Sequence, residues 1–165
     1  MMMRMYGLEQ NSYVDGPGIR MAIFFQGCLH KCEGCHNPGS WPMYGGEKVD
    51  TNDLMKKMAN DPLLDGITLS GGEPFLQPQP ALALARFARQ KGLSVWCYTG
   101  YTFEQISEWQ DNRKTLLQNI DVLVDGPFKL EEKSLDIPWR GSRNQRLVDV
   151  RKSLEKGEVV LYDAE

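Results

Sequence analysis

The sequence predicts an α/β fold in which parallel strands make a partial, incomplete β/α barrel. Three observations lead there. Short apolar runs alternate with helix-like segments in the order strand, helix, strand, helix, strand, helix, strand, which favours parallel pairing through right-handed crossovers. Each run of chemistry-bearing residues follows the carboxyl end of a strand, the edge at which loops of parallel α/β folds converge. The chain has 165 residues, and a complete eight-unit barrel takes roughly 250, so the barrel is open on a side.

Composition narrows the setting. With 41% hydrophobic residues the chain can bury one core, and we expect a single domain over 1–165. A formal charge of -3 argues against a nucleic-acid protein, whose binding domain must neutralise phosphates. The opening residues 1–6 lack an apolar core of signal-peptide length, and the longest apolar runs are strand-sized. We therefore expect no membrane association, a cytoplasmic location and reduced thiols.

Taken in order, Asp15-Gly16-Pro17-Gly18-Ile19-Arg20 reads as a turn, with Arg20 as a surface charge. Residues 21–26 form a short apolar run bounded by Gly27, which suits a strand buried on both faces. The loop 27–46 follows. It holds Cys28, Cys32 and Cys35, three of the four cysteines, together with His30 and His36, the only histidines. Thiolates crowded this closely suit an iron-sulfur cluster, zinc or copper.

A closed zinc site takes four ligands, and an electron-carrier cluster normally takes four cysteines. The loop supplies three, and Cys97 lies in the apolar run 94–98, where a buried structural cysteine is the ordinary expectation. One metal position is thus left open, unless His30 or His36 closes a zinc site. A non-enzymatic ferredoxin-like or zinc module is the alternative from another class. A disulfide fits worse, since pairing two of these thiols strands the third.

Further along, residues 51–60 read as a helix with Leu54, Met55, Met58 and Ala59 on one side, and 66–70 as a strand. Gly71-Gly72-Glu73-Pro74 follows directly. Its glycines permit close backbone approach to a bound molecule, and Glu73 supplies a carboxylate; by itself the motif reads rather as a tight turn with an exposed acid. Residues 79–91, rich in Ala and Leu, are a helix ended by Gly92, and 93–98 a strand. Thr102 and Gln105 have capping-box spacing for a helix carrying Phe103, Ile106 and Trp109. Residues 121–124 are the fourth strand, ending at Asp125-Gly126-Pro127-Phe128. The arginines at 140, 143 and 146 are consistent with a solvated basic loop, and 158–161 with either a further strand or a frayed tail.

Three cysteines separated by three and then two residues resemble the signature of the radical S-adenosylmethionine enzymes. The resemblance implies that Cys28, Cys32 and Cys35 hold a 4Fe-4S cluster whose fourth iron is chelated by S-adenosylmethionine. It implies that the Gly71, Gly72 and Glu73 element binds the methionine end, and that Gly34, Cys35 and His36 lie beside the adenosyl part. Asp125 is a further candidate contact for the ribose or amino group. In the commonest form of the motif an aromatic residue precedes the third cysteine; here that position is Gly34, and His36 takes over the adenine packing. No catalytic side chain is implied beyond the cofactor-derived radical.

The run Asp15 to Arg20 resembles the segment before the cysteines in activases of glycyl-radical enzymes, and the segments 96–101 and 122–126, and above all Trp139-Arg140-Gly141-Ser142 with Asn144-Gln145-Arg146, resemble the activating proteins of anaerobic ribonucleoside-triphosphate reductases. The likeness extends from about Tyr13 to Arg146, with 126–165 as a family-specific C-terminal segment. It implies the reductase's C-terminal glycine region as protein substrate and a reduced flavodoxin- or ferredoxin-like electron donor. It leaves open a homodimer. An activase of a formate-lyase-type glycyl-radical enzyme is the sister alternative.

Overall fold

A computed structural model describes residues 1–163. In chain order its strands are β1 (Met2–Ser12), β2 (Arg20–Phe25), β3 (Glu47–Asp50), β4 (Gly66–Gly71), β5 (Ser94–Tyr98), β6 (Val122–Asp125) and β7 (Arg146–Asp149). The helices are α1 (Thr51–Asn60), α2 (Pro78–Gln90), α3 (Phe103–Ser107), α4 (Asn112–Gln118) and α5 (Val150–Lys156). The strands make one sheet in the order β3-β1-β2-β4-β5-β6-β7.

The four strands read from the sequence are its centre, and they pair in parallel. The edges differ from expectation. β1 and β3 on one side and β7 on the other are antiparallel, so the sheet is mixed, and it runs open from edge to edge. These strands escaped the sequence reading because they lack a continuous apolar run: β1 carries Arg4, Glu9 and Gln10, and β7 has only four residues. Antiparallel strands tolerate one wet face, which a buried parallel strand does not. Residue Met5 of β1 pairs with Phe25 on one side and with Glu47 on the other.

Local chemistry sets the helices. Asp50 caps α1 by accepting from the Asn52 N–H, and Leu54 and Met58, one turn apart, reach the core. Pro78 opens α2, Gly92 at φ +76° follows it, and Leu84, Ala85 and Ala88 are buried between. Thr102 and Gln105 form the expected capping box on α3, each side chain bonded to the other's backbone N–H. Among the described residues, no helix is long and apolar enough to cross a membrane.

The two faces of the sheet have different neighbours. Along β5, Val95 and Cys97 join the core made with Leu84, Ile106 and Leu116, whereas Trp96 points the other way to Val122, Val124 and Leu147. In register, Ile23, Leu69, Cys97 and Leu123 form one fully buried row across the parallel strands. Cys97 is therefore a core residue, and burial pushes its thiol pKa well above the ordinary value. The face opposite, with Phe24, Ser70 and Tyr98, borders a cavity.

Arg20 departs from the surface charge expected of it. It is 1% exposed, and its Nε donates to Thr68 Oγ1, Nη1 to Pro17 O and Ser94 Oγ, and Nη2 to Ile67 O and Ser94 O. Burial lowers its pKa to about 10, still far above neutrality, so a full positive charge sits at the amino end of the parallel strands. The 158–161 tail is tied by a bridge between Leu161 and Val148 of β7.

Candidate cofactor site

Three loops at the carboxyl ends of β2, β4 and β5 meet, and their glycines explain how closely. Gly71 has φ +91°, and a Cβ there would lie 2.4 Å from Phe25 N; one on Gly72 would lie 2.4 Å from Gly27 O. The Gly72 N–H donates to Phe25 O and the Glu73 N–H to Gly27 O, both at 2.8 Å. The glycine pair is thus required by the neighbouring protein backbone, and it borders the cavity as well.

The cysteine loop is folded back on itself by backbone bonds from Gly27 N–H to Ser40 O and from Cys28 N–H to Trp41 O. All three of its thiols are free and line the cavity, Cys28 buried and Cys32 and Cys35 half-buried. Burial pushes the Cys28 thiol up, while backbone N–H groups of His30 and Lys31 pull it back. Cys32 is raised by burial in the same way and opposed by the Phe128 N–H. The Asn37 N–H donates to Cys35 Sγ at 3.4 Å. Backbone donors thus meet each sulfur, an arrangement that tunes a bound cluster.

The C-terminal segment closes the loop's outer side. His36 and Phe128 rings lie 5.4 Å apart, and a Cβ on Gly34, at φ +75°, would be 2.7 Å from Leu130 Cδ1. The cavity between these elements holds about 670 Å³. Cys28, Cys32, Cys35, His36, Gly71 and Gly72 line it; Gly34, Glu73 and Asp125 do not.

Glu73 is completely buried. Its Oε1 accepts from Thr99 Oγ1 and Gly100 N–H, both at 2.8 Å, and lies 2.7 Å from His30 Nε2; Oε2 accepts from the Phe75 N–H. Asp125 is 1% exposed and faces the opposite side, where Arg146 bonds both of its oxygens and the Phe103 N–H donates to Oδ2. Both carboxylates are occupied by protein donors because each is too deeply buried to stay charged unpaired. In the run 138–146 Arg143 stays exposed and the amide side chains tie the loop down: Gln145 Oε1 accepts from the N–H groups of Gly141 and Ser142, and Asn144 Nδ2 donates to Pro127 O. These residues shape a wall of the cavity.

Thr99 and Phe128 were not read as cofactor-site residues, and His30 was weighed only as a zinc ligand. Their signal lay in position alone, since each sits in a loop at the same sheet edge. Among the described residues no three His, Cys, Asp or Glu side chains are grouped to hold a single metal ion. Three free thiols in one cavity, with N–H donors at the sulfurs and Cys97 turned away, fit a 4Fe-4S cluster with one open iron.

The comparisons with known proteins agree. Residues 14–148 match the family described as 4Fe-4S single cluster domain. The anaerobic ribonucleoside-triphosphate reductase-activating protein of Enterobacteria phage T4 is 38% identical over 82% of this chain and 86% of its own. That of Vibrio cholerae is 37% identical over 80% of this chain and 88% of its own. The pyruvate formate-lyase-activating enzyme of Clostridium pasteurianum is 35% identical over 76% of this chain but only 56% of its own. The thiol site and the family match are those of an iron-sulfur enzyme of the radical S-adenosylmethionine class. Within that class, the chain belongs to the family of anaerobic ribonucleoside-triphosphate reductase-activating proteins.

Proposed function

We propose that this protein generates the glycyl radical of an anaerobic ribonucleoside-triphosphate reductase by acting on a backbone glycine in that partner's C-terminal region. When bound, the reduced cluster supplies the electron that cleaves S-adenosylmethionine to methionine and a 5'-deoxyadenosyl radical. The protein's own residues hold, orient and enclose. Cys28, Cys32 and Cys35 ligate the cluster. Gly71 and Gly72 border the methionine end, and Glu73 acts from behind them by fixing the Thr99–Gly100 loop. Gly34 and His36, with Phe128 against them, flank the adenosyl end. Asp125 braces the wall through Arg146. Together the walls keep bulk water from the reacting atoms.

The observation that carries this proposal is the three free thiols in one cavity beside the glycine pair, with the fourth cysteine on the other face of the sheet. We read the open mixed sheet as a partial barrel whose free side admits the protein substrate. The whole of 1–165 acts as one domain, with the cluster loop at 27–46 and a family-specific segment at 126–165. A cytoplasmic location and a reduced flavodoxin- or ferredoxin-like donor complete the proposal.

The test is electron paramagnetic resonance of anaerobically reconstituted, reduced protein with and without S-adenosylmethionine, with 5'-deoxyadenosine assayed in the same samples. A cluster signal that shifts on adding the ligand, followed by a glycyl-radical doublet when the reductase is added, supports the proposal. Retained cleavage with a full cluster in Cys32→Ala sinks the ligand assignment. A doublet formed only with a formate-lyase-type partner moves the substrate to the sister class.

A further inference from the structure

The geometry points to His30 as a positioning residue that locks the cysteine loop to the loops bordering S-adenosylmethionine, through the buried carboxylate of Glu73. The inference rests on the cofactor site proposed above.

Glu73 Oε1 is a junction of three elements. One donor comes from the cysteine loop, His30 Nε2 at 2.7 Å, and two from the loop after β5, Thr99 Oγ1 and Gly100 N–H, each at 2.8 Å. Glu73 itself belongs to the loop after β4, whose backbone is already bonded to Gly27. His30 is therefore the side-chain link from the first cysteine segment to Thr99 and Gly100. Its ring is fixed on two further sides. Tyr101 meets it edge-on at 4.6 Å, and Gly100 lies so close that a Cβ there would be 2.5–2.7 Å from three ring atoms. Gly100 has an ordinary backbone conformation, so glycine is required at this position by the imidazole above it.

His30 stands between Cys28 and Cys32 and lines the cavity, while Glu73 is fully buried behind it. A carboxylate with no access to water needs its donors. Removing the imidazole takes one donor from Oε1 and opens space beside Gly100. The Thr99–Gly100 loop then loses its reference to the cysteines. Partners of this kind, behind the ligands, typically govern metal and cofactor affinity by tenfold or more.

The experiment compares wild type, His30→Ala and His30→Gln, whose side-chain amide retains an N–H donor. In the apo proteins, hydrogen exchange of the Gly100 amide reports the junction directly. In reconstituted proteins, the S-adenosylmethionine dissociation constant and the ligand-induced change in the cluster's resonance signal are measured. We expect faster Gly100 exchange, dissociation constant raised on the order of tenfold and a broadened, weakly responsive signal in His30→Ala, with partial recovery in His30→Gln. Gly100→Ala, which displaces the ring without removing it, should shift the same readouts, and it serves as the test if His30→Ala does not fold. A responsive wild type with unchanged exchange, affinity and signal in the variants overturns the role of His30. A wild type with no cluster signal at all overturns the cofactor site instead.

Discussion

The guanidinium of Arg20 lies 5.7 Å from the ring centroid of Trp96, so a buried cation rests on an indole between two parallel strands. Five hydrogen bonds to neutral acceptors accompany the contact, two of them to Ser94 and one to Pro17 of the preceding turn. Replacing Arg20 by Leu leaves those acceptors without donors. We expect a loss of about 3–5 kcal/mol in a urea denaturation, with Lys restoring little because it lacks the planar fork. A loss under about 1 kcal/mol would show the turn to be held by other means.

Asp125 and Arg146 form the second buried anchor. Arg146 bonds both carboxylate oxygens of Asp125 and also reaches Glu104. Arg146→Ala strands a carboxylate that is 1% exposed, and should cost about 3 kcal/mol. The double variant Arg146→Ala, Asp125→Asn should recover more than about 1 kcal/mol of that. Additive losses in the cycle would refute the pairing.

Glu104 provides a pH test of the same arginine. Its hydrogen bond to Arg146 holds its carboxyl below the usual glutamate range. A depressed acid stabilises the fold above its unfolded pKa and loses that contribution as pH falls through the folded value. The pair is exposed, so its worth is about 0.5 kcal/mol at neutral pH. Glu104→Gln should therefore be slightly less stable than wild type at pH 7, equal to it in acid, and closer to it in high salt. A gap that persists in acid would refute the ion pair.

The thiols should separate by burial. In the apo protein at pH 8, alkylation followed by peptide mass spectrometry should find Cys32 and Cys35 modified first and Cys28 later. Cys97 should be modified only after unfolding, because burial raises its pKa and excludes the reagent. Early modification of Cys97 would place it outside the core.

Legibility in the sequence followed how local each signal was. Strands β2, β4, β5 and β6 and helices α1 to α3 were legible because apolar runs, the capping box at Thr102 and Gly92 declare themselves within a few residues. The cysteine spacing likewise carried the resemblance that implied the cofactor class. Arg20 was misjudged because its partners lie 48 and 74 positions away, at Thr68 and Ser94. Glu73 and Asp125 were expected to face the ligand, but nothing local reveals that His30 and Arg146 arrive from other loops to engage them. The antiparallel edges were missed because half-wet strands carry no apolar run.

The double pairing of Met5, with Phe25 and with Glu47, means that one residue pins both feet of the cysteine-bearing segment. Strands in a sheet are spaced about 4.8 Å apart, so the segment leaves and re-enters the sheet on either side of β1, about two strand spacings apart. The pairings to β1 close this loop through backbone hydrogen bonds, whereas in a zinc finger the ion itself must drive the chain to fold.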